Sequence, residues 1–88
     1  MSAEIQFDPE IQWDGNSLSV WAVNNGDRIL CRIPRATIHG VPPFSDVLGR
    51  EIARDRLEIF DRLRPAIVAK IIRERRGPIE LRPTDLTE

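Results

Sequence analysis

Asn25-Gly26 stands between two runs of alternating apolar residues, Ser17 to Asn24 and Arg28 to Ile33. Both turn residues tolerate the positive φ that a type I′ turn requires, and that turn suits the twist of two antiparallel strands. A two-residue loop also fixes the register. Asn24 then faces Asp27, Ala22 faces Ile29, Val20 faces Cys31 and Leu18 faces Ile33. Side chains alternate across a strand, so the six apolar residues of these pairs share one face. The other face carries Val23 with Arg28, Trp21 with Leu30, and Ser19 with Arg32. The 17–33 hairpin is therefore a two-faced ribbon whose apolar side needs cover.

The flanking segments supply candidates for that cover. Glu4 to Phe7 alternates and stops at Asp8-Pro9, which reads as a short strand. Ile11 and Trp13 alternate likewise before the turn Asp14-Gly15-Asn16. Pro34 ends the hairpin and opens one helical turn through Ile38, and His39 to Pro43 is a rigid loop. Ser45 suits a helix N-cap and Asp46 its first turn. Leu48, Ile52, Ile59 and Leu63 recur near helical spacing, widened by Ala53, Leu57, Phe60, Ile67 and Ile71. Asp46 with Arg50, Arg54 with Glu58 and Glu58 with Arg62 are opposite charges one turn apart, expected on the exposed face. Pro65 removes a backbone donor inside this stretch, so either one long helix kinks there or a second helix opens there and runs to Arg76. Gly77-Pro78 is a stop, with Gly77 as the C-terminal cap. Ile79 to Arg82 can form a last strand, and Pro83 to Glu88 reads as a tail.

The expected fold is α+β. A small antiparallel sheet of three or four strands is built on the 17–33 hairpin, and one kinked helix or two helices, over about 45–76, cover its Cys31 face. The expected core is Leu18, Val20, Ala22, Ile29, Cys31, Ile33, Leu57, Phe60, Ile67 and Ile71. Residues 1–88 make a single small domain, 41% apolar and 31% charged, a balance that excludes disorder. No apolar run approaches the roughly 18 residues of a membrane helix. The N-terminus lacks the basic start and apolar segment of a secretory signal, and a lone cysteine forms no internal disulfide. The expectation is a cytoplasmic protein with no membrane contact.

The order of landmarks carries a resemblance. An "IQF" strand and a Trp lead into a hairpin ending "GDRILCRI"; "FDRLR" and "AIVAKII" follow on a helix, and "IELRPTDL" closes the chain. The chain resembles, from about Ile5 to Leu86, the small bacterial proteins grouped as domain of unknown function 1488. That resemblance implies a compact α+β fold and a bacterial origin, and brings no catalytic residue.

Catalysis finds little footing in the residues. A nucleophilic Cys31 needs a depressed pKa and a nearby base, and the one histidine, His39, lies beyond Pro34. One Cys and one His fall short of a structural zinc site, so no metal is expected. Asp8, Glu10 and Asp14 read as a solvated acidic edge. The five glycines stand singly, without the spacing of a phosphate loop, and no cofactor is expected. The chain is read as a non-enzyme.

Two surface features are candidate binding sites. If helices cover only the Cys31 face, Trp21, Val23 and Leu30 form an apolar patch flanked by Arg28 and Arg32. The leading expectation is an interaction module that binds a protein partner or a second copy of itself through this face. The alternative rests on charge asymmetry. Residues 1–27 hold five acidic and no basic residues, whereas 62–76 hold six basic residues against Glu74. Arg73, Arg75 and Arg76 at the helix end are the candidate contacts for nucleic acid. The same arginines would also complement the helix dipole, and the pI of about 5.8 is low for a nucleic-acid domain.

Overall fold

The computed structural model describes residues 5–86. Its centre is the hairpin of β3 (Ser17–Asn24) and β4 (Asp27–Pro34), with every expected pair from Leu18–Ile33 to Asn24–Asp27 in register. Asn25 and Gly26 take φ values of 57° and 84°, the left-handed pair that a type I′ turn demands. Leu18, Val20, Ala22, Ile29, Cys31 and Ile33 are all buried on the inner face.

The fold is α+β as expected, but the sheet is mixed and, among the described residues, has five strands. Two short strands, β1 (Gln6–Phe7) and β2 (Gln12–Trp13), both pair antiparallel with the outer edge of β3. Between them the four residues Asp8–Ile11 span only Val20 and Trp21 of β3, so this edge bulges by two residues. Glu4, expected in the first strand, lies outside the described residues. On the opposite side β5 (Ile79–Glu80) pairs parallel with β4, Cys31 beside Ile79 and Arg32 beside Glu80. The chain returns to β4 through helices, a crossover that lays the new strand in the same direction. The antiparallel expectation holds for the hairpin and N-terminal strands and fails for β5.

Among the described residues three α-helices pack on the inner face. Pro34 precedes α1 (Arg35–His39), whose Thr37 hydroxyl donates to the Leu81 carbonyl at 2.6 Å in the interior. Pro42–Phe44 form a 3-10 turn, and α2 (Gly49–Arg54) starts only after it. Ser45 is therefore no helix cap; its hydroxyl donates to the Pro42 carbonyl at 3.1 Å. The Leu48 N–H is held instead by the Glu51 carboxylate at 2.8 Å, half of a capping box. The long helix α3 (Arg56–Glu74) is continuous through Pro65, and the break falls ten residues earlier, at Asp55. Pro65 is exposed, so the Asp61 carbonyl it leaves without a helical donor sits on the wet side.

The buried stripe of α3 runs through Ile59, Phe60, Leu63, Ile67, Lys70 and Ile71. Leu57, expected in the core, is 63% exposed. At about 100° per residue it lies roughly a quarter-turn off the centre of that stripe. Phe7 closes the N-terminal strand onto α3, edge-on to Phe60 with ring centres 5.0 Å apart. The Arg64 guanidinium lies over both rings, 5.5 Å from Phe60 and 6.0 Å from Phe7. Arg56 donates to the Ile11 carbonyl at 2.7 Å and ties the bulge to the start of α3. The expected one-turn ion pairs do not form: Asp46 precedes the helix, Asp55 separates Arg54 from Glu58, and Arg54 pairs with Asp55 itself at 3.0 Å.

Gly77 does not cap α3 either. Arg75 takes the left-handed cap conformation, φ 68°, and its N–H donates to the Ile71 carbonyl. Gly77 is required for another reason: a Cβ there would come within 2.7 Å of the Ile29 Cγ2 atom. No helix among the described residues is long and apolar enough to cross a membrane.

Candidate functional site

Among the described residues no helix covers the outer face of the sheet. Every second residue of the hairpin points there by the alternation that buries Val20 and Cys31 on the other side. Trp21 is 41% exposed and Val23 38%, while Leu30 across from Trp21 is half-buried. The Arg28 guanidinium sits 4.5 Å from the Trp21 ring centre and leaves the rest of the indole open. Arg32 lies on the same side of the hairpin, 3.4 Å from the Ser17 hydroxyl and 3.9 Å from an Asp14 oxygen.

The bulge completes this face. The Asp8 N–H donates to the Trp21 carbonyl at 2.8 Å, which holds the bulged segment against β3. Asp8 accepts from the Glu10 N–H at 3.1 Å, and Glu10 accepts from the Gln12 amide at 3.4 Å. Asp8, Glu10, Gln12, Ser19, Trp21 and Leu30 line a recess of about 90 Å³. The face is thus an apolar centre with carboxylates along its β1–β2 side and guanidinium groups along its β4 side. The sequence places Trp21, Val23, Leu30, Arg28 and Arg32 together, and the structure brings them together. Asp8 and Glu10 were legible only as an acidic edge, since their place beside Trp21 depends on the bulge.

The remaining candidates separate. Cys31 is buried, its thiol directed at the Ile29 carbonyl 3.9 Å away, and burial pushes the thiol up to about 11. His39 Nε2 lies 3.1 Å from the Val47 carbonyl, so that nitrogen is tied to the loop before α2. Asp14 closes a turn: the N–H groups of Asn16 and Ser17 both donate to it at 2.8 Å and hold its carboxyl below the usual range. Among the described residues no three His, Cys, Asp or Glu side chains converge as a metal site would need.

The three arginines at the end of α3 do not act as one group. Arg73 pairs with Asp85 at 3.2 Å, Arg75 is the left-handed cap, and Arg76 is exposed beyond it. Asp85 belongs to a segment expected as a tail, yet Pro83–Leu86 form a 3-10 turn packed on α3. Asp85 also takes the Lys70 ammonium at 2.7 Å and the Arg82 N–H at 2.8 Å. The hydrogen bond from Lys70 is the main cause holding its carboxyl below the usual range. Beside this turn an open cleft of about 580 Å³ runs along α3, floored by Pro65, Ala66, Ala69 and Leu86, with Arg62 and Arg73 on its margins. Thr84 and Asp85 also line it.

Comparison of the chain with models of known protein families, with curated proteins and with solved structures gives no match.

Proposed function

We propose that the protein is a non-enzymatic interaction module that self-associates through the sheet face bearing Trp21. One observation carries this reading: a 41% exposed tryptophan stands at the centre of an uncovered sheet face, stacked by an arginine and bordered by both signs of charge. Large aromatic and arginine side chains with a charged surround are what binding hot spots are made of. The resemblance to domain of unknown function 1488 enters this proposal only as the expectation of a compact α+β protein of bacterial origin. A cytoplasmic setting is part of the same proposal.

The test is sedimentation velocity across a hundredfold range of concentration. The 10.1 kDa chain should move toward twice that mass as concentration rises. Trp21→Ala and Leu30→Arg should remain monomeric while keeping the wild-type circular dichroism. A wild-type monomer at every concentration would remove self-association.

The alternative proposal, nucleic-acid contact through Arg73, Arg75 and Arg76, has less support because Arg73 is already engaged with Asp85. It predicts retardation of labelled DNA or RNA that weakens steeply with salt and is lost in the triple alanine variant.

A further inference from the structure

Self-association through the Trp21 face leaves its geometry open, and the charges on that face fix it. We infer that two copies stack sheet on sheet about a two-fold axis running along the strands above β3, with Trp21 against Trp21; this rests on the self-association proposed above.

The face is built of three columns. The strand order places β1 and β2 on one side of β3 and β4 on the other. The first column holds Gln6, Asp8, Glu10 and Gln12, with Gln6 across from Val23 and Gln12 across from Ser19. The middle column holds Val23, Trp21 and Ser19. The third holds Arg28, Leu30 and Arg32 across from them. The first column is acidic, the third basic and the middle uncharged. On β5, Glu80 lies beside Arg32, one strand further out, and falls outside the overlap.

A two-fold contact joins one surface to itself, and for two stacked sheets the axis lies between them. Two directions are available. An axis across the strands lays each column on its own counterpart, carboxylates over carboxylates and guanidiniums over guanidiniums. An axis along the strands exchanges the outer columns. Arg28 then faces Gln6 of the second copy with Asp8 diagonal to it, Arg32 faces Gln12 with Glu10 diagonal to it, and both carboxylates lie within reach of a guanidinium at the two ends of the contact. Like charges set face to face disfavour the first arrangement, and opposite charges steer and register the second. Both arrangements are aligned packings of a two-sheet sandwich, with strand directions within about 30° and sheets about 10 Å apart, so it is the charges that choose between them.

Cysteine cross-linking reads the axis directly, because the native Cys31 is buried. Glu10→Cys protein mixed with Arg32→Cys protein should form a disulfide-linked pair under mild oxidation, at least tenfold above either variant alone. Asp8→Cys with Arg28→Cys is a second pair at the other end. Self-linking of Glu10→Cys that matches the mixture overturns the orientation, and so does a dimer in which neither mixture links. A wild-type chain that stays monomeric in sedimentation is a different result and fails the self-association itself. Charge reversal adds an independent readout. Arg32→Glu and Glu10→Arg should each weaken the dimer at least tenfold, and mixing the two should restore it; reversals without effect overturn the charge argument.

Discussion

Lys70 and Asp85 meet at 2.7 Å from positions 15 residues apart, and the same ammonium donates to the Glu80 carbonyl at 2.8 Å. One side chain of α3 therefore fastens both the end of β5 and the turn that follows it. Lys70 is 9% exposed and Asp85 15%, so the pair is largely out of water, where a hydrogen bond between charged groups counts for more than on the surface.

Asp85→Asn should lower stability by about 2 kcal/mol, or roughly 10 °C in Tm for a domain of this size. The folded carboxyl is held below its ordinary value of 3.8, so its contribution is complete above that pH and disappears as the pH falls through the lower folded value. Urea melts at pH 7 and pH 5 should show the same difference between wild type and Asp85→Asn. The difference should shrink below pH 4. Equal stabilities at pH 7 would contradict the fastening role.

Cys31 should resist thiol reagents at pH 8 in the native state, since its thiol is buried and pushed up to about 11. Reaction should become fast only in denaturant, tracking global unfolding. Cys31→Ala should cost about 1 kcal/mol as a small cavity. Cys31→Ser should cost more, because it leaves a hydroxyl among apolar neighbours. Rapid native labelling would show that the inner face opens.

Gly77→Ala should destabilise by about 1–3 kcal/mol through overpacking against Ile29, whose Cγ2 atom lies 2.7 Å from the added carbon's position. Ile29→Leu moves the branch off Cβ, so the same substitution should cost less in that background. A double-mutant cycle measured by urea denaturation gives the coupling, and additive costs would exclude the clash.

Leu57 and Leu63 separate surface from core on one helix. Leu57→Gln should stay within about 0.5 kcal/mol of wild type. Leu63→Ala, at a site 2% exposed, should cost about 2–5 kcal/mol. Thermal melts of the two variants distinguish them, and a large loss at Leu57 would place it inside.

The hairpin was readable because its determinants are local. Asn25-Gly26 fixes the turn, the turn fixes the register, and alternation then sorts Trp21 from Cys31. The Trp21 face followed from the same rule. What escaped depends on distant parts of the chain. Leu57 matched a loose helical spacing, but the phase of α3 is set by the sheet beneath it. Gly77 looked like a cap because Gly-Pro often follows a helix, whereas the approach of Ile29 is what excludes a side chain there. Lys70 and Asp85 sat in a basic stretch and an apparent tail, and no spacing rule joins them. Asp8 and Glu10 reached the candidate site only through a bulge that alternation alone does not specify.

The short outer strands have a consequence for how the molecule associates. β1, β2 and β5 are two residues long, and the bulge at Asp8–Ile11 interrupts the edge that β3 would otherwise present. The β1–β2 margin therefore offers little for another strand to extend. Stacking through one face is self-limiting: the second copy uses up the surface that recruited it. In the dimer proposed above, the two tryptophans are therefore spent on each other and assembly stops at two.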